Sequence, residues 1–469
     1  MRSEYQSNFE ENEFLECLSK YEEALKNGEQ PYMDADELTD IAEYYMLRNR
    51  EQDANKCILL ATTLHPEAID PQIFLARQQL FHNNIEKAEK IAQEIVEQND
   101  REVVFLWAEI AIKSGEIGKA NKILSDYYET IDEEKDLFLY DSAGVFMDYE
   151  EWGMALIWAT RLKEEYPEFD RTEILMCDIL VSCGRIKEAT PLLESIIDRN
   201  PFEKEAWELL AEAQSAQEKY EAALESTDYL LAIDEKHHQG QVLRANCLYH
   251  LNRIEESHKQ YEAYLKEVPQ DGNIRFYDAM VLTAMEKYQE AYDQLLLAID
   301  SLDHSTAEYY QSKMQLCYIL SKQNKPEEAL GTLESSYLEG KRDFDSEYYF
   351  MQGHILLEND KYDDALSNFD KAESLTNDLE GFKLMRSIEY IENERYTEGV
   401  DILRKLLNSS MKDKEANCYP YLAYGTYFIK DHPDHRNYLH LAAQFNPKLT
   451  EYLFAPIYPN IPISQYNEL

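Results

Sequence analysis

The residues best equipped for chemistry stand near the C-terminus, in the run HPDHRNYLH, where His432, Asp434, His435 and His440 are all of metal-ligand type. Imidazole nitrogens and a carboxylate together could hold a metal ion, and a metal protein or an enzyme would follow. The spacing speaks against it. His435 and His440 are five residues apart, so they do not share a helix face well, and no cysteine lies near them. The run reads first as a polar turn between two helices, with a site near His432–His440 kept as the alternative. No glycine-rich phosphate loop, GxGxxG, GxSxG or HExxH occurs elsewhere. Among 92 acidic residues, carboxylate pairs fall at any spacing by chance. The expectation is a protein that is not an enzyme, with no catalytic residue, no resident metal and no cofactor.

The elements that must position any site are helices. In the stretch Asn200–Glu235, Trp207, Leu210 and Ala211 lie on one helical face, and Tyr220 and Ala223 restart the pattern after a short polar break. Two amphipathic helices of this length cannot bury their apolar stripes alone, so the unit must recur on either side. It does. With Lys204 as place one, Ala223 is place twenty, and that place reads Ala54, Ala88, Ala120, Ala155, Ala189, Ala223, Ser257, Ala291, Ala329, Ala365 and Gly399, with His435 as the misfit. Place eight is small throughout, from Ala42 to Ala423, with Cys177 and Cys317 serving as small apolar residues. The spacing stays between 32 and 38 residues, and Pro66, Pro167, Pro201, Pro269 and Pro447 fall at place thirty-two, where a second helix must end.

This pattern resembles the tetratricopeptide repeat, a 34-residue helix–turn–helix with a large residue at place four and small ones at eight and twenty. Place four departs most, since one unit alone keeps Trp there. The resemblance implies an all-α superhelical solenoid of about twelve units. The opening YEEALKNGEQPYMDADELTDIAEYY is similar to that of uncharacterised bacterial proteins of this class.

Bulk composition agrees with an array. The 469 residues contain 14 glycines and 14 prolines, too few for a loop-rich fold. The net charge of −46 repels phosphate backbones and anionic head groups, so neither nucleic acid nor membrane is expected as a partner. The acids are spread along every unit and read mainly as a solvated surface. Steering of a basic partner, or imitation of a polyanion that sequesters one, is the functional alternative. No run of about 18 apolar residues appears, and MRSEYQSNFEEN has no export signature. Seven cysteines without a CxxC pair fit a reducing compartment. The expected location is cytoplasmic, where the Asn408–Ser410 sequon is moot.

In chain order, residues 1–34 are expected to form an N-terminal cap, built on a helix over Asn12–Asn27 stopped by Gly28. Asp34 and Glu37 form an Asp version of the capping box. Residues 35–303 make a first arm of repeats and 304–448 a second, with longer joints around Asp303–Glu308 and Glu339–Ser346. Residues 449–469 close the array. Pro456, Pro459 and Pro462 favour an extended left-handed tail, while Ile457, Tyr458, Ile461, Ile463 and Tyr466 make it apolar enough to dock on the last units.

The resemblance places the groove on the first helix of each unit, with places two, five, nine and twelve facing inward. The Lys and Asn that clamp a chaperone's terminal carboxylate in some members are missing: unit one has Thr39 and Glu43, unit three Phe105 and Glu109, unit six Glu208 and Glu212. Inward places of units one, three and six offer Asp36, Glu43, Glu102, Glu109, Glu205, Glu208 and Glu212. Those of units eight to ten offer Phe276, Met280, Met314, Tyr318, Phe350 and His354. Aromatic and methionine side chains are the usual anchors of binding surfaces. These six are the candidate partner-binding residues of a protein–protein interaction scaffold or adaptor holding a protein or peptide, a basic one being the charge-matched choice. Oligomeric state is not legible.

Overall fold

The computed structural model describes residues 12–47, 50–302, 304, 306–338, 345–429, 432–459 and 461–468. Among them every regular element is helical, in agreement with the expected fold class. Of the two expected joints, residues 303, 305 and 339–344 lie outside the described residues, and residues 307 and 308 already belong to the helix Ala307–Lys322. Two compact units are distinguished, Met1–Tyr264 and Leu265–Leu469.

The repeat arithmetic holds at the level of single residues. Unit six is the helix pair Lys204–Ala216 and Tyr220–Ile233, and its neighbours are Thr172–Ser182 with Ile186–Arg199 and His238–His250 with Ile254–Glu267. Places eight and twenty meet where the two helices cross, and Ala211 and Ala223 are wholly buried there. The exceptions at place twenty obey the same geometry. The Ser257 hydroxyl donates to the Ala245 carbonyl at 2.8 Å. A Cβ on Gly399 would stand 2.8 Å from the Ser387 carbonyl oxygen, so only glycine fits that close approach. His435 places Nδ1 3.1 Å from the Ala423 carbonyl, which can only accept.

The turn between paired helices has a feature that the small-residue pattern did not reveal. Place fifteen takes a left-handed backbone in unit after unit: Asn83, Gly115, Glu150, Gly184, Glu218, Asn252, Glu286, Asn324, Asp360 and Glu394 all have φ between 58° and 77°. This residue ends the first helix and turns the chain back for the second. Asn, Asp and Gly tolerate the conformation, whereas Glu carries strain there.

In the first unit the interior follows the helix crossings. Phe138 is fully buried, stacked on Phe105 at 5.1 Å and edge-on to Trp158 at 6.4 Å. The Trp158 indole N–H donates to Asn121 at 3.0 Å, so its one polar atom is satisfied. Helix Asn12–Lys26 covers the first hairpin by inserting Leu18 and Tyr21 beside Tyr45. Gly28 (φ 73°) ends it, and the Asp34 backbone N–H donates to Glu37 at 3.0 Å, as the capping box requires.

In the second unit the tail is docked on the last hairpin, Lys414–Phe428 with His435–Phe445. Phe454 and Tyr466 are buried against Ala423, Leu439 and Ala442, with Tyr458, Ile461 and Ile463 around them. Among the described residues of the tail the extended left-handed form does not occur. Turns close at Phe454–Tyr458 and Tyr458–Ile461, and a 3-10 helix spans Ile463–Glu468. Proline at the first corner of a turn is as well suited as proline in an extended helix. Burial of Phe454 and Tyr466 selects the folded-back form.

Candidate binding groove

The first unit holds a cavity of about 780 Å³. Its walls come from the first helices of four successive hairpins: Lys135–Asp148, Thr172–Ser182, Lys204–Ala216 and His238–His250. The lining side chains Tyr140, Ile174, Asp178, Glu205, Glu208, Glu212 and Gln239 stand at places two, five and nine, the inward positions of each first helix.

The cavity's charge is one-sided. Asp148, Glu150, Asp178, Glu205, Glu208 and Glu212 line it with a single guanidinium, Arg171. Arg171 lies over the Tyr140 ring at 5.4 Å and 3.9 Å from Glu205. Burial, with the nearby Glu212 and Glu205 adding to it, pushes the Glu208 carboxyl up to about 7. Burial likewise raises Glu212, with Asp178 as second cause, and raises Asp178 against the opposing hydroxyl of Ser182. His237 Nε2 is 3.7 Å from Glu208, while its Nδ1 accepts the Gly240 backbone N–H at 3.2 Å. The ring's exchangeable proton in the neutral form therefore sits on the side facing Glu208.

Carboxylates continue toward the N-terminal end of this unit. Burial lifts Asp40 to about 6 and Glu43 to about 7, the latter against the pull of Arg77. Arg77 itself is engaged by Glu109 at 2.8 Å and Glu102 at 3.2 Å, and Arg101 is paired with Asp141. The inward face of the first unit thus carries more carboxyl groups, most of them half-buried, than cations.

The six residues singled out from sequence sit in the second unit, and they pack more than they face outward. Phe276 is buried in the interior of its hairpin, and Met280, Met314 and Tyr318 are half-buried against the same cluster. The half-buried Phe350 packs on Phe369 and Phe382, each ring at 5.4 Å. His354 is 1% exposed and bonded to Glu389 at 2.7 Å. Four of the six keep some surface, whereas Phe276 and His354 have next to none to offer a partner.

The histidine run near the C-terminus is organised around a cation of its own. Arg404 Nη2 lies 3.0 Å from His432 Nε2 and 2.8 Å from Asp434 Oδ2. Arg404 thus occupies two of the four candidate ligands, and a guanidinium there repels a metal ion. Among the described residues no group of three or more His, Cys, Asp or Glu side chains is placed to hold one.

Residues 178–238, which carry much of the cavity wall, match the family model described as tetratricopeptide repeat. That segment of the chain is similar to tetratricopeptide repeats. Three solved structures illustrate the likeness. A tetratricopeptide repeat protein from Parabacteroides merdae is 17% identical, covering 53% of this chain and 96% of its own, at a TM-score of 0.42. YrrB, described as a TPR protein with an unusual peptide-binding site, is 18% identical over 40% of this chain and 93% of its own, at 0.33. Yeast Tom70 is 16% identical over 90% and 94%, at 0.45. No curated protein matches the sequence. No helix among the described residues is long and apolar enough to cross a membrane.

Proposed function

We propose that this chain is a non-enzymatic scaffold, and that the inward face of its first unit receives a basic segment of a protein partner. One observation carries the reading: a cavity of about 780 Å³ lined by six carboxylates and one guanidinium. Carboxylates pushed up by burial and by each other are destabilised as anions in the free protein. A Lys or Arg side chain entering between Asp178, Glu208 and Glu212 would relieve that repulsion and make charge-assisted hydrogen bonds, each stronger than a neutral one. The half-buried Tyr140, Trp152 and Met147 supply apolar wall for the aliphatic stems of such side chains.

The four first helices present their inward places in sequence, so an extended peptide would meet them one after another. In the second unit, Met280, Met314, Tyr318 and Phe350 would offer a half-buried apolar surface of that unit's own. The buried thiols of Cys57, Cys177, Cys247, Cys317 and Cys418 suit a reducing cytoplasm.

Fluorescence anisotropy with an arginine-rich peptide and its citrulline counterpart tests the proposal on the full chain. Citrulline keeps the shape of arginine and removes its charge. The arginine peptide should bind and weaken steeply with added salt, while the citrulline peptide should not bind. Equal binding of the two peptides, insensitive to salt, would defeat the basic-segment reading.

A further inference from the structure

The inward face of the second unit contains a buried ionisable group for which peptide binding in the first unit has no use. His354 lies on helix Asp345–Glu358, between helices Ala307–Lys322 and Leu379–Glu392. Its Nδ1 is 2.7 Å from Glu389 Oε2 on the following first helix. Its Nε2 is 3.5 Å from Glu358 Oε2, one turn along its own helix, without the geometry of a hydrogen bond. Tyr318 of the preceding first helix stacks on the ring at 5.3 Å. From that same helix, Ser321 and Lys322 both reach Glu358. Glu392, one turn beyond Glu389, is held above the usual carboxylate range by burial first and by Glu389 next.

The geometry favours an imidazolium. In the neutral ring with its proton on Nδ1 toward Glu389, the bare lone pair of Nε2 would face the Glu358 carboxylate. With the proton on Nε2, the lone pair of Nδ1 would face Glu389 at 2.7 Å. Either neutral form leaves a lone pair near an anion in a buried place, whereas the doubly protonated ring donates to Glu389 and keeps its positive charge within 3.5 Å of Glu358. We propose that His354 is a protonation-operated clasp that joins three consecutive first helices of the second unit and loosens them as pH rises.

The direction of the effect follows from linkage. Burial opposes the charged ring, but the pull of Glu389 and then Glu358 overcomes it, so the folded pKa is raised above 6.5. Stability from the clasp is therefore complete below about 6.5 and is lost as pH climbs through the folded value. Glu358 is lowered against burial by His354 and Lys322, so its share is present above its ordinary 4.5 and lost below it. The clasp is tightest between those limits. Loosening it would free Tyr318 and the Lys322–Glu358 pair, changing the inward surface of this unit.

Thermal unfolding of the full-length chain and of His354→Gln, followed across pH 5 to 9, reads the clasp as a difference. The wild type should melt several degrees above the variant at about pH 6, and the gap should close toward pH 9. A gap that does not change with pH would mean that the ring only fills space, and the proposal would fall. Should His354→Gln not fold, selective ¹⁵N-histidine spectra of the wild type decide. A ring whose protonation midpoint lies above the ordinary 6.5 supports the clasp, and one that loses its second proton below 6.5 overturns it.

Discussion

Phe138→Ala is expected to cost about 3–5 kcal/mol of stability, as large-to-small changes of fully buried aromatics do. The ring is wholly buried and touches Phe105, Tyr127, Tyr128 and Trp158, so its loss opens a cavity shared by two consecutive hairpins. In a repeat array each unit contacts only its neighbours, so damage stays local at first and then uncouples the helices on either side. Denaturant unfolding of the variant should show an early transition in the first unit, with hydrogen exchange speeding up across residues 101–165. A single cooperative transition displaced by well under 1 kcal/mol would show that the stack is not central to the array.

Replacing Glu205, Glu208 and Glu212 together by Gln should change stability and binding in opposite directions. For an acid whose folded pKa lies above its unfolded value, the folded state keeps protons that the unfolded chain gives up. Stability then falls as pH rises from about 4.5 to about 7, the window set by Glu208. For Glu208 alone the penalty at pH 8 is roughly 3 kcal/mol, and the raised Glu212 adds to it. The triple variant should therefore melt above the wild type at pH 8 and near it at pH 5. The same variant should bind an arginine-rich peptide about a hundredfold more weakly, since losing two charge-assisted hydrogen bonds costs about 3 kcal/mol. A variant that gains stability at pH 8 and binds as well as the wild type would leave the carboxylates as an electrostatic burden without a ligand.

Much of the fold was legible because the helix crossings leave a one-letter trace. Small residues at places eight and twenty mark where backbones approach, and Ser257, Gly399 and His435 turn out to satisfy the same geometry in three different ways. The left-handed place fifteen was half-legible. Asn83, Gly115 and Asn252 advertise it, whereas Glu150, Glu218, Glu286 and Glu394 hide it, because hairpin packing overrides the local preference there.

The candidate site was less legible. Place counting marks the inward face, with Glu205, Glu208 and Glu212 on it; Tyr140, Arg171 and Asp178 stand at the same places, in units whose inward residues are mixed in type. Aromatic and methionine content drew attention to the second unit instead. Periodicity tells which face of a helix turns inward, but not how closely the next hairpin follows. His354 is the clearest instance: it stands at an inward place and is sealed there by Tyr318 and Glu389.

The affinity of an arginine-rich peptide for the full chain, followed at constant salt between about pH 6 and 8, puts the basic-segment proposal most directly at risk. Arginine keeps its charge throughout, so any change comes from the protein. Ordinary carboxylates are already ionised over this range, whereas Glu208 titrates at about 7. Affinity should rise with pH through that value in the wild type and stay flat in the Glu205, Glu208 and Glu212 triple variant. An affinity that is flat in the wild type, or that rises equally in both proteins, would place the basic segment somewhere other than this cavity.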